Sequence, residues 1–186
     1  MSEFMSQWLP TILAMLATGA AAGILAGLLG VGGGIVIVPV LFFVLQSMGI
    51  GAATAMLVAT ATSLLVIVPT SISSLRAHHK RGNVDWDLLK RWAPFMVVGV
   101  LLGSAFALHA KGEVTSAVFG VVALLVAANM LFRAKSPPIA EQLPGKVGQG
   151  VMASTVGFFS VMMGVCGGTI GVPLLNACNY PPHRAV

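Results

Sequence analysis

No residue from Trp8 to Leu75 carries a charge, so positions 8 to 75 form an unbroken neutral run of 68 in a chain of 186. One membrane helix needs about 20 apolar residues. The run therefore crosses or re-enters a bilayer more than once, and the chain reads as an integral membrane protein. Composition agrees: 57% of residues are hydrophobic, 8% are charged, and the mean hydropathy is +0.96, outside the usual range of soluble domains. Residues 1–7 hold no Lys or Arg and the apolar region does not stop where a signal peptide would, so the N-terminus reads as mature protein.

Apolar segments fall at 8–29, 35–48, 52–75, 92–110, 115–132 and 150–165, with a shorter stretch after the last. Backbone groups in lipid must be satisfied within the segment, and the alternation of barrel strands is missing. The expected fold is all-α and polytopic. Segment 35–48 is short for a full span and suits a half-helix or re-entrant element.

Eight of the ten basic residues lie between apolar segments, five in 76–91 and three in 133–149. This is the positive-inside pattern, so both loops are expected on the cytoplasmic side of a plasma (inner) membrane, with 111–113 opposite. Trp86 and Trp92 are expected to flank the membrane surface as interfacial aromatics. A net charge of +5 arranged this way points to the bilayer and not to nucleic acid.

Four glycines occupy five positions at Gly30, Gly32, Gly33 and Gly34, followed by Pro39. The stretch GILAGLLGVGGGIVIVPVL, 23–41, aligns without gaps to GFFSVMMGVCGGTIGVPLL, 157–175, with eight of nineteen positions identical. Gly30, Gly33, Gly34 and Pro39 recur as Gly164, Gly167, Gly168 and Pro173, and Cys166 stands where the first copy has Gly32. The second copy approaches its cluster from the cytoplasmic side. If 35–48 returns to the outer side, the first copy approaches from outside and the repeats are inverted, as in many secondary transporters. The expected organisation is a first transmembrane repeat at 1–135, a cytoplasmic linker at 136–149, and the start of a second, incomplete repeat at 150–186. A full second unit would need about 80 residues more if the repeats match in length.

Glycine costs roughly 1 kcal/mol against Ala inside a helix, so a tight cluster reads as a helix break. Broken backbone at membrane depth must be buried by protein or line a cavity. The next half-helix then presents its free N–H groups and positive dipole end to an anion, and Pro39 and Pro173 are compatible with its first turn. Gly19, Gly23 and Gly27, and separately Gly99 and Gly103, are spaced for helix packing instead. The proposed spans hold no Asp, Glu, Lys or Arg. Selectivity would come from dipoles, amides and hydroxyls, with Thr60, Thr62, Ser63, Asn129, Thr169, Asn176 and Asn179 as candidates. His78 and His79 sit in a basic loop without further metal ligands, and Cys166 and Cys178 lack metal or redox spacing. No metal, cofactor or catalytic pair is expected.

The motifs GLLGVGGGIVIVP, ATATSLL at 59–65 and GVCGGTIGVP followed by HRAV resemble the sulfite exporter TauE/SafE family, also called the 4-toluene sulfonate uptake permease family. The resemblance runs from about residue 16 to the end. It implies a helical permease for small organic or sulfur-containing anions such as sulfite or sulfonates. The family's repeated motif maps onto Gly30, Gly33, Gly34 and Pro39, and onto Gly164, Gly167, Gly168 and Pro173. The family pattern continues past Val186 into a Gly-Thr-Ser helix matching Ala61, Thr62 and Ser63.

The substrate-binding set expected is thus Gly30, Gly32, Gly33, Gly34, Pro39, Thr62, Ser63, Gly164, Cys166, Gly167, Gly168, Thr169, Pro173 and Asn176. Expected partners are a small anion and the lipid bilayer, with a homo-oligomer left open. Two other classes stay open: a membrane structural or assembly protein using its glycines for packing, and an intramembrane enzyme, which lacks paired catalytic residues.

Overall fold

The computed structural model describes residues 33–133 and 144–178, with isolated positions 9, 13, 16, 19, 20, 23 and 24 of the first apolar segment. Six helices make up the two long stretches: α1 (Gly34–Ser47), α2 (Ala52–Lys80), α3 (Trp86–His109), α4 (Gly112–Arg133), α5 (Lys146–Met163) and α6 (Gly168–Ala177). Among the described residues three stretches are long and apolar enough to cross a membrane: Ala52–Lys80, Trp86–His109 and Gly112–Asn129. Large side chains such as Leu65, Val97, Leu101, Leu124 and Leu125 are exposed along them. In water this would be an aggregating surface; in lipid it is the solvated face. The all-α, polytopic membrane expectation holds.

The helices run further into the charged stretches than hydropathy suggests. α2 continues to Lys80 and α3 begins at Trp86, so the loop expected at 76–91 contracts to a turn around residues 81–85. Local chemistry accounts for both limits. His78, His79 and Lys80 occupy the last turn of α2, where positive charge and donor groups suit the free carbonyls. The Asp85 carboxylate accepts from the amides of Asp87 and Leu88 at 3.1 and 3.0 Å, starting α3. Likewise α5 starts at Lys146, inside the expected linker 136–149, of which 134–143 lie outside the described residues.

The helices sort into two packed groups. Val38, Met56 and Ala59, with Leu41, Phe42, Leu45 and Phe119, join α1, α2 and α4. Trp92, Ala153, Val156 and Leu175, with Leu88, Met96, Met152, Ile170 and Leu174, join α3, α5 and α6. Trp92 is thus only 6% exposed and packs in a core, where it was expected at the membrane surface; Trp86 is the exposed one, edge-on to His79 at 5.5 Å.

Glycines let α3 and α5 meet at backbone distance. A Cβ on Gly99 would overlap the Ser154 carbonyl, one on Gly103 would lie 2.7 Å from the Phe158 carbonyl oxygen, and one on Gly157 2.5 Å from that of Met96. The Ser154 hydroxyl adds a bond to the Phe95 carbonyl at 3.0 Å. The packing role expected for Gly99 and Gly103 is met. Gly19 and Gly23 instead face open space, and Gly27 lies outside the described residues.

These contacts fix directions. Residues 96 to 103 of α3 meet 154 to 161 of α5 in rising order, so the two helices run parallel. Gly112 packs on Ala53 and Phe119 on the Met56 and Ala59 cluster, so α2 and α4 also run parallel. Because α2 ends where α3 begins, Lys80, Trp86 and Lys146 share one face of the bundle. Ala52 and Gly112 share the other.

Candidate functional site

Gly33 and Gly167 cap α1 and α6, each with helical dihedrals and no side chain accepting from the first turn. Four amides at a helix start have no partner within the helix, so each copy of the motif aims a positive helix end at whatever lies before it. What lies before α1 is the other copy. A Cβ on Gly34 would stand 2.5 Å from the Gly164 carbonyl oxygen and 2.8 Å from the Val165 Cα. The two glycine clusters are therefore in backbone contact.

Gly164 ends α5 with φ +66° and ψ 32°, the left-handed conformation that glycine adopts without strain. That reversal turns the amides of Gly164 and Val165 back onto the carbonyls of Val161 and Ser160, at 3.3 and 3.0 Å. It also brings Gly164 onto α2, where a Cβ would lie 2.8 Å from the Thr60 carbonyl oxygen and 3.0 Å from its Cγ2. Ser63, fully buried, donates its hydroxyl to the Gly164 carbonyl at 2.6 Å, and its Oγ would lie 3.2 Å from a Cβ on Gly34. Ser63 thus fastens α2 to the second copy and satisfies the buried Gly164 carbonyl.

The junction lies at membrane depth. About 15 Å of helix separates Ser63 from Ala53, and about 25 Å separates it from Lys80. No Asp, Glu, Lys or Arg occurs between positions 34 and 75 or between 147 and 178, so its electrostatics come from helix ends, amides and hydroxyls.

From the junction α1 and α6 leave in opposite directions. Gly34 lies by Ser63 and Val38 packs with Met56 and Ala59, so α1 runs back along α2 toward Ala52. Gly167 lies by Met96 and Val156, while Leu175 packs with Trp92 and Ala153, so α6 runs back toward the Lys80 and Lys146 face.

The sequence-based set divides accordingly. Gly34, Ser63 and Gly164 meet. Gly33, Cys166, Gly167, Gly168 and Thr169 flank them at the two helix starts, Thr169 being buried with its amide on the Cys166 carbonyl at 3.1 Å. Pro39 and Pro173 are each the sixth residue of their helix, a turn beyond the first-turn position expected; Pro39 there cannot donate to the Ile35 carbonyl four residues back. Thr62 and Asn176 are exposed, away from the buried contact. Gly30, Gly32 and Asn179 lie outside the described residues. Both Cys166 and Cys178 are free thiols. A groove of about 610 Å³ opens elsewhere, along Pro69, Ile72, Ser73, Arg76, Ala77 and Lys80 at the basic end of α2.

The sequence profile described as sulfite exporter TauE/SafE matches residues 15–186. The chain belongs to the TauE/SafE family. Its similarity to curated proteins also extends over most of its length. It is 32% identical over 175 residues to a protein of Haemophilus influenzae named as a probable membrane transporter protein, covering 94% of this chain and 66% of that one. A Bacillus subtilis protein named likewise is 30% identical over 190 residues, covering 90% of this chain and 68% of its own. A Methanocaldococcus jannaschii protein, again named a probable membrane transporter, is 28% identical over 185 residues, with 92% and 64% covered. The chain thus spans about two thirds of the length of these relatives. The relatives are named as transporters and not as enzymes, which is the class expected. No solved structure matches the chain.

Proposed function

We propose that this TauE/SafE protein is a permease for small organic or sulfur-containing anions, sulfite or a sulfonate among them, bound where the two glycine clusters meet. The observation that carries the reading is the contact of Gly34 with Gly164 and Val165 beneath the Ser63 hydroxyl, at the starts of two helices without side-chain caps. Exposed N–H groups and positive dipole ends at membrane depth are how discontinuous helices hold anionic substrates. A site built from dipoles alone has no fixed counter-ion to replace, so the anion can leave as readily as it enters.

The opposite courses of α1 and α6 support an inverted repeat, with the first unit in 1–135 and the second starting near 150. The shared face of Lys80 and Lys146 supports a plasma-membrane orientation with both basic stretches cytoplasmic. The second reading, a membrane assembly factor, draws on Gly99, Gly103 and Gly157, whose only evident work is to bring α3 and α5 together. Counterflow separates the two. Proteoliposomes holding the complete gene product and loaded with unlabelled sulfite or methanesulfonate should accumulate the radiolabelled anion above protein-free vesicles. Equal uptake in both for every sulfonate, sulfite and small carboxylate tried removes the permease reading.

A further inference from the structure

Hydroxyls on this bundle follow two habits. Several outward hydroxyls bond back to their own helix: Thr70 to the Val66 and Ile67 carbonyls, Ser71 to Val68, and Thr155 to Val151, at 2.8 to 3.0 Å. This is the usual resource of Ser and Thr in membrane helices. Among the described residues three buried hydroxyls have no partner: Thr115, near the Gly112 end of α4, and Thr60 and Ser160 at the junction. Thr60 and Ser160 are 7% and 6% exposed, yet neither Oγ atom has a hydrogen-bond partner. Both belong to the contact. Thr60 packs on Gly164 from α2, and Ser160, one turn before it on α5, accepts the Val165 amide with its carbonyl. Leaving a buried hydroxyl unpaired costs about 1–3 kcal/mol, and a bond back to the same helix would remove that cost. Two buried, unpaired hydroxyls beside the uncapped start of α1 are donors available to a ligand.

We infer that Thr60 and Ser160 are the specificity-determining donors of the anion site, each giving its O–H to an oxygen of a bound oxyanion such as a sulfite, sulfonate or carboxylate group. This rests on the permease reading and sharpens it. Each hydroxyl is both donor and acceptor, but an oxyanion accepts only, so both protons turn to the ligand. Ser63 is excluded from this role because its proton is already on the Gly164 carbonyl. Halide, with no set of separate oxygens to place between two donors, should compete poorly.

The inference separates cleanly from a packing role by the sign of the stability effect. Thr60→Val and Ser160→Ala remove no bond within the protein, so folding loses nothing to them, whereas a bond to a charged ligand is lost. In proteoliposomes of the complete gene product, counterflow of radiolabelled sulfite and methanesulfonate should show KM raised about tenfold or more by each change. Thermal midpoints without anion should be equal to or above that of the unsubstituted protein. The anion-induced rise in midpoint should shrink in both variants, and Thr70→Val, on the outward face of α2, should alter none of these. Unchanged KM and unchanged anion-induced stabilisation in both variants would overturn the assignment while leaving the permease reading intact. No counterflow and no anion-induced stabilisation in the unsubstituted protein would overturn both.

Discussion

Gly34 lies against the peptide of Gly164, close enough that a single methyl group on it would stand 2.5 Å from the carbonyl oxygen. The two residues are 130 positions apart and belong to different copies of one motif. Gly34→Ala must therefore push the copies apart, and the obstacle is backbone, which does not swing aside. Gly164→Ala meets the Thr60 backbone at 2.8 Å and adds a left-handed φ worth about 1–2 kcal/mol in an L-residue. Gly33→Ala meets only the end of the Ile37 side chain at 3.3 Å, and Gly168→Ala only the Cys166 Sγ at 3.8 Å. Counterflow should be abolished by the first two and reduced less than about threefold by the last two. Equal loss in all four would show that conformational freedom, and not the close approach, is what the motif supplies.

Ser63→Ala should lower stability. It leaves the buried Gly164 carbonyl without its donor, a cost of about 1–3 kcal/mol, and turns an uncompensated oxygen toward the anion. Both the thermal midpoint in detergent and anion affinity should fall. Ser63→Cys, which keeps a weak donor, should lie between.

Trp92 should behave as a core residue. The residue is only 6% exposed, and its Nε1 has no partner. Trp92→Phe removes that unsatisfied N–H together with part of the buried indole and should cost clearly less than Trp92→Ala, which empties the α3, α5 and α6 cluster at a cost of about 3–5 kcal/mol. A surface anchor would show the opposite economy, tolerating Ala in detergent.

Topology is testable with single cysteines after Cys166 and Cys178 are replaced. Cysteines at Gly49 and Lys111 should react with an impermeant maleimide from the same side of right-side-out vesicles, and cysteines at Gly82 and Gly145 only after the vesicles are opened. Labelling of positions 49 and 111 from opposite faces would remove the inverted repeat.

Much of this was legible in the residues. The neutral run at 8–75 forces a membrane fold, and the doubled Gly and Pro pattern selects Gly34 and Gly164 before any contact is seen. The short α1 follows from 35–48 being too brief to span. What pattern could not reach were matters of partner choice. Trp92 sits beside a charged stretch just as an interfacial aromatic does, and only the parallel packing of α3 on α5 puts it inside. Thr60, Thr62 and Ser63 share one short polar stretch, yet α2 turns Thr60 and Ser63 inward and Thr62 outward. Ser160 lies in the repeated stretch but opposite Ala26, so the repeat does not single it out; its signal is an unused hydroxyl, which exists only in three dimensions. The helix ends outran hydropathy because Asp85 and the His78–Lys80 turn stabilise termini by capping and dipole, terms a hydropathy window ignores.

The division of the bundle into two packed groups has a mechanical meaning. Each group keeps its own apolar core, one around Val38 and Met56 and the other around Trp92 and Val156. At the glycine seam between them Gly34 presents bare backbone, and the fastening there is one serine hydroxyl on one carbonyl. Smooth surfaces slide where interlocked side chains would jam. Where the two groups meet at this seam there is little side-chain interlock to undo when one shifts against the other, and the anion site proposed above lies on that line.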